Sequence, residues 1–308
     1  MPRRYRVFVN ADSGSVGESD QLRAEITTAF GALGVETEAD AVSPDDLPNA
    51  MRAAWQHGVD AIIVAGGDGT VNCAAQVAVD NDIVLGVLPM GTFNHFAKDL
   101  GMSPDLSSAA RFLSDAVVTP VDVGEVNGRV FVNNASIGVY PKMVGEREAL
   151  RARRGWGKIR AAPVAIVRTL RSLPVVQLRL VVDDAAPSVV VTPFLFVGNG
   201  LFDERGERVG QRTSLTEQNL GVYIIATTSP WRLIVNAVRA RLGGVTAAPR
   251  MERRVGDRMV VESDQSALEI ALDGEPTELH TPLEFRSRAG ALRVLAAPEP
   301  KRLPGAPS

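Results

Sequence analysis

The chain has 308 residues, 45% hydrophobic and 22% charged, which excludes disordered and fibrous classes and leaves room for two domains with a substantial core. Its 33 basic and 36 acidic residues nearly cancel, so no global field draws it to nucleic acid or to an anionic membrane, and any such attraction has to be local. A single cysteine, Cys73, excludes an internal disulfide or a cysteine-based zinc site, fits a reducing compartment, and reads as a buried structural thiol among apolar neighbours.

In chain order, a first strand is expected at Tyr5–Val9 and a helix at Ser19–Leu33, followed by a short strand near Val35 and a helix at Pro44–His57. A strand at Asp60–Ala65, a helix at Val71–Asp80, a strand at Ile83–Leu88 and helices at Phe93–Leu100 and Leu106–Ser114 continue the pattern. Such alternation predicts helices packed on a mostly parallel sheet, with ligands at the carboxyl ends of the strands. The residues before Tyr5 leave no room for a signal-peptide core, and no apolar run reaches the roughly 18 to 20 residues of a membrane span. The expectation is a cytoplasmic protein that touches membranes only from the surface.

Between the strand ending at Ala65 and the helix opening at Val71 lies Gly66-Gly67-Asp68-Gly69-Thr70-Val71-Asn72. Three glycines on a strand-to-helix turn remove the Cβ atoms that keep a ligand from the backbone, so several N–H groups can converge on phosphate at a helix N-terminus. Asp68 would repel phosphate unless a cation lay between, which makes it a magnesium-side residue. The plainer alternative is a glycine-rich turn with Asp68 as a helix cap.

From about Thr119 strands and turns take over. Val121–Val126, Asn127-Gly128 and Arg129–Asn133 have the form of a hairpin with a two-residue turn. Further strands are expected at Val176–Val182, Ser188–Val197, Gly221–Ala226, Arg258–Glu262, Leu268–Leu272 and Leu292–Leu295, which together predict a mainly-β sandwich. Helical patterns interrupt it at Gly145–Leu173 and Pro230–Leu242, and the Pro-rich tail from Pro298 is expected to be disordered.

A second turn, Pro89-Met90-Gly91-Thr92-Phe93-Asn94, closes the next strand as the first turn closes its own. With Gly66–Asn72, Asn10-Ala11-Asp12-Ser13-Gly14, Asn133–Gly138 and the late Asp273-Gly274-Glu275, it resembles the diacylglycerol kinase catalytic-domain family, which includes bacterial soluble lipid kinases and is related to sphingosine and ceramide kinases. The resemblance spans nearly the whole chain. It implies an α/β nucleotide-binding domain over residues 1–120, a β-sandwich lipid-substrate domain over 121–297, ATP in the cleft between them, and a disordered tail over 298–308. It implies transfer of the γ-phosphate of ATP to a lipid hydroxyl, with diacylglycerol to phosphatidic acid as the default. Ceramide, a sphingoid base, a monoacylglycerol, or a soluble acceptor such as NAD are alternatives, as is a nucleotide- or lipid-binding regulator without chemistry.

By family position, Asn10, Ser13, Gly14, Gly66, Gly67, Gly69, Thr70, Asn72, Gly91, Thr92 and Asn94 would hold the nucleotide phosphates. Asp273 would be the general base, and Glu275 would join Asp68 around magnesium, with Asp122 a weaker candidate for that network or an exposed strand residue. Without the other motifs, Asp273-Gly274 would read as a hairpin turn. The sequence departs from the family at Ala11, where proline is usual, at His95, where many members carry aspartate, and at Leu215–Leu220, where only Glu217 keeps the acidic character of a structural metal loop. Basic residues such as Arg147, Arg151, Arg153, Arg154 and Lys158 alternate with Leu150, Trp156 and Ile159, a composition suited to an anionic lipid surface or to a solvated helix face. The basic residues are not interleaved with stacking aromatics, so no nucleic-acid partner is expected.

Overall fold

A computed structural model describes residues 3–11, 16–138, 175–203, 212–225 and 251–298. The chain divides into two compact units. The first comprises Met1–Val123, Ser214–Glu217 and Arg288–Ser308, and the second comprises Gly124–Thr213 and Gln218–Ser287.

The first unit begins with β1 (Arg4–Asn10), α1 (Val16–Gly31), β2 (Glu36–Val42), α2 (Leu47–Gln56) and β3 (Ala61–Gly66). It continues with α3 (Asp68–Asn81), β4 (Val84–Pro89), α4 (His95–Asp99) and α5 (Leu106–Asp115). The strands pair in parallel in the order β2-β1-β3-β4. Every residue of β3 and β4 is buried, as their continuous apolar runs require of strands covered on both faces. β2 is a seven-residue edge strand rather than a short stretch near Val35. Its Glu38 and Asp40 pair with Arg6 of β1, and charge on an edge strand hides the apolar alternation while protecting the edge. α3 starts three residues before the expected Val71, so Asp68, Gly69 and Thr70 form its first turn.

The second unit is all β among the described residues. Its strands are β5 (Val117–Val126), β6 (Arg129–Phe131), β7 (Asn134–Gly138), β8 (Val176–Val182), β9 (Ser188–Thr192) and β10 (Phe194–Asn199). They continue with β11 (Leu220–Ile225), β12 (Met251–Gly256), β13 (Arg258–Glu262), β14 (Ala267–Leu272), β15 (Glu275–His280) and β16 (Leu283–Ala296). β5 and β16 contribute residues to both units. One sheet has the order β12-β11-β10-β7-β14-β15, and the other pairs the first half of β16 with β13, then β8 and β9. Ala135, Ile137, Val197 and Ile270 from the first sheet pack in one core with Leu180, Met259, Val261 and Phe285 from the second, which makes the expected sandwich.

The Asn127-Gly128 turn joins Val126 to Arg129 with both φ angles positive, as a two-residue hairpin demands. The strand expected over Ser188–Val197 is instead two strands in different sheets. Pro193 lacks an N–H for the ladder, the Phe194 N–H donates to Thr192 Oγ1, and the chain turns from one sheet to the other there. The expected helical segments at 145–173 and 230–242, with their basic residues, and the tail from 299 lie outside the described residues. No helix among the described residues is long and apolar enough to cross a membrane.

Candidate functional site

In the first unit, Gly66 at the end of β3 stands opposite Pro89 at the end of β4, so the two glycine-bearing turns leave the sheet side by side. The Met90 N–H donates to the Gly66 carbonyl at 3.0 Å. A Cβ on Gly91 would come within 2.5 Å of Gly67 Cα and 2.8 Å of Asn94 Oδ1, so only glycine permits this approach. Asp68, in the first turn of α3, reaches across to the second turn. Its Oδ2 accepts the Asn94 N–H at 3.1 Å and its Oδ1 the His95 N–H at 2.8 Å. Asn94, with φ of 52°, closes the turn on itself by accepting the Gly91 N–H at 2.9 Å and donating to the Gly91 carbonyl at 2.8 Å.

The end of β1 joins the same group, because Asn10 Nδ2 donates to Thr70 Oγ1 at 3.1 Å. Asn10, Gly66, Gly67, Asp68, Thr70, Gly91 and Asn94 are therefore brought together. Gly69 and Asn72 lie in the opening of α3, and Thr92 is exposed on the second turn. Ser13 and Gly14 lie outside the described residues. Gly67 caps α3 without a side-chain bond, which leaves the first-turn N–H groups suited to an anion. The His95 imidazole stacks on Phe93, whose side is 63% exposed, at 5.7 Å between ring centres.

In the second unit, Asp273 (φ 49°) and Gly274 (φ 91°) form the two-residue turn of the β14–β15 hairpin, with Leu272 opposite Glu275. The hairpin turn is present, and the Asp273 carboxylate folds inward from it. Oδ2 accepts the Val132 N–H at 2.8 Å, and Oδ1 accepts those of Asn133 at 2.7 Å and Asn134 at 2.9 Å. Asp273 is half-buried as a whole, but its carboxyl group is the enclosed part. Burial pushes its pKa up to about 6, against the three N–H bonds and the Arg212 guanidinium, which pull it down. Glu275 is exposed at the start of β15.

Asp122 is buried rather than exposed, and its Oδ1 accepts the Gly290 N–H at 2.8 Å, bracing β5 against β16. Among the described residues no three His, Cys, Asp or Glu side chains converge to hold a metal by themselves. Sequence reasoning passed over Asn199 and Arg212, each only 3% exposed. The run Val197-Gly198-Asn199-Gly200, a polar residue between glycines at the end of an apolar strand, is the signal that marks the first, whereas Arg212 has no distinguishing context.

Residues 4–126 match the family described as diacylglycerol kinase catalytic domain. Over 140 residues the chain is 37% identical to a diacylglycerol kinase of Bacillus subtilis strain 168, a match covering 44% of this chain and 46% of that protein. It is 34% identical over 144 residues to a diacylglycerol kinase of Staphylococcus aureus strain bovine RF122 / ET3-1, covering 45% and 44%. The matched part thus spans less than half the length of these curated relatives. A crystal structure of a Bacillus anthracis str. Sterne protein superposes with a TM-score of 0.73 at 23% identity, covering 96% of this chain and 98% of that one. A diacylglycerol kinase from the same strain superposes with 0.67 at 18%, covering 96% and 97%. At those identities the superpositions establish the fold. The resemblance to the diacylglycerol kinase catalytic-domain family accordingly holds by sequence over residues 4–126, and nearly the whole chain shares the fold of those crystal structures.

Proposed function

We propose that the protein is an ATP-dependent lipid kinase that transfers the γ-phosphate to a lipid hydroxyl, with diacylglycerol the leading acceptor and phosphatidic acid the product. The observation that carries this reading is the pair of glycine turns locked together by Asp68, within a segment that matches the catalytic domain of that family. Phosphoryl transfer asks mainly for positioned donors and charge neutralisation. The N–H groups at the start of α3 and around Gly91, with Asn10 and Thr70 beside them, suit the nucleotide phosphates.

Magnesium needs only one or two protein carboxylates when phosphates and water complete its shell, so the lack of a cluster of three ligands among the described residues is compatible with it. Asp68 fits: each oxygen accepts one N–H and keeps further lone pairs. Asp68 and Glu275 are the carboxylates proposed to hold the ion, and His95, whose backbone N–H bonds Asp68, adds no negative charge. When bound, magnesium would neutralise charge on the phosphates. Asp273 is proposed as the base that takes the acceptor's proton. Its Oδ1 already accepts two bonds and its Oδ2 one, which leaves Oδ2 the oxygen with capacity, and a pKa of about 6 keeps it ionised at neutral pH. Peripheral contact with anionic lipid is proposed from sequence alone, on the basic residues between Arg147 and Lys158, and a cytoplasmic location on the single cysteine, which fits a reducing compartment.

The test is transfer of labelled γ-phosphate from ATP, with magnesium, into a panel of micellar lipids. The expected result is label in diacylglycerol and a loss of about 10² to 10⁴ in rate for Asp273→Asn, with ATP affinity retained. Label in ceramide, a sphingoid base or a monoacylglycerol would replace the acceptor. No labelled lipid despite ATP binding would overturn the lipid-kinase reading in favour of a regulator or a kinase of a soluble acceptor.

A further inference from the structure

The segment 132–134, which runs from the end of β6 into the first residue of β7, has its backbone groups tied on two sides. On one side the three N–H groups donate to Asp273, and the Asp273 N–H returns a bond to the Asn134 carbonyl at 2.8 Å. On the other side the Asn133 carbonyl accepts the Asn199 N–H at 2.9 Å, and the Val132 carbonyl accepts both Asn199 Nδ2 at 3.0 Å and Arg212 Nη1. Arg212 Nη1 also lies 3.4 Å from the Asn199 carbonyl.

Arg212 is itself placed by an isolated bridge to Phe202 and by the Thr213 N–H bond to Leu201. A guanidinium withdrawn from water must be compensated, and Nη1 of this one bonds the Val132 carbonyl while its charge acts on Asp273. The planar fork makes the contact directional in a way that a lysine ammonium would not.

We propose that Arg212 is a positioning residue: with Asn199 it fixes the 132–134 loop from its carbonyl side, and through that loop it holds the Asp273 carboxylate in place. The kinetic consequence rests on the proposed kinase reading, whereas the brace does not. A misplacement of about 1 Å at a reacting group can cost on the order of 100-fold in rate, so a loosened loop is expected to show in turnover rather than in nucleotide binding.

The experiment compares the unmodified 308-residue protein with Arg212→Gln, Arg212→Lys and Asp273→Asn, measuring amide hydrogen exchange and phosphoryl transfer from ATP to diacylglycerol micelles with magnesium. In Arg212→Gln, exchange at Val132, Asn133 and Asn134 is expected to accelerate by about tenfold or more, as in Asp273→Asn, while β1 to β4 keep their protection. kcat is expected to fall roughly 10- to 100-fold with KM for ATP within about twofold, and Arg212→Lys, which keeps the charge but not the planar fork, should lie between. Unchanged exchange at the three amides overturns the proposal. So does faster exchange throughout the sandwich in both Arg212 variants, which would make Arg212 an ordinary stabilising residue. A rise in KM for ATP with kcat retained would also overturn it. If the unmodified protein labels no lipid, the kinase reading fails, and the exchange pattern alone decides the brace.

Discussion

Gly91 shows how little room the two glycine turns leave. A methyl group there would meet the Gly67 backbone at 2.5 Å and the Asn94 side chain that closes the turn. Backbone cannot yield as a flexible side chain can, so Gly91→Ala should force the two turns apart and break the Asp68 bond to Asn94 and Asn94's own bonds to Gly91. The expected outcome is a loss of ATP affinity of at least about tenfold by calorimetry, with a destabilisation of roughly 1 to 3 kcal/mol. Unchanged affinity would mean that the close approach is not what builds the cradle. The glycines and Asp68 were legible in the sequence because their chemistry is local. That Asp68 clamps residues 94 and 95 was not, since nothing in a strand-to-helix turn says which distant amides its carboxylate will meet. Asp273 carries the same lesson: its hairpin was readable from Asp-Gly, but its inward-facing carboxylate depends on a loop 140 residues earlier.

At the scale of elements, α5 offers a test of how a helix start is held. Its cap, Asp105, accepts the Ser108 N–H at 2.8 Å, and hydrogen bonding from Ser108, side chain first and backbone second, lowers the Asp105 pKa. The folded chain therefore binds this proton more weakly than the unfolded chain. The stabilisation is fully present above the unfolded value and is lost as pH falls through the lowered folded one. Asp105→Ala should accordingly lower the thermal midpoint at neutral pH, and the gap to the unmodified protein should close in strong acid. A gap that persists there would show that the carboxylate is not its source. Elements with a strong period or a strong cap, such as β3, β4 and α5, were readable within a residue or two. β2 was foreshortened because its charges mask the alternation, and β9 and β10 were merged because apolar residues continue across Pro193 although the ladder does not.

For the molecule as a whole, the chain's path decides what can fold. The family match ends at residue 126, yet the first unit also takes in Arg288–Ser308 from the far end of the chain. The last half of β16 lies parallel to β4, with Arg293 opposite Val84 and Val294 opposite Leu85. It buries Leu292, Val294 and Leu295, and Leu295 packs near Gly86 together with Leu113 of α5. Burying three such side chains is worth roughly 5 to 8 kcal/mol as an upper estimate, which rivals the entire stability of an ordinary domain at about 5 to 15 kcal/mol. The sequence disclosed Leu292–Leu295 as a strand but not its partner, because a parallel pairing across some 200 residues leaves no local trace. A chain ended at Ser287 should therefore lose ATP binding and any cooperative melting transition of the first unit, even though every residue of the matched segment is still present. Circular dichroism against temperature, with calorimetric titration of ATP, measures both. If that shortened chain binds ATP with the affinity of the 308-residue chain, then β4 needs no neighbour on that side, and the segment that matches the family folds without the returning strand.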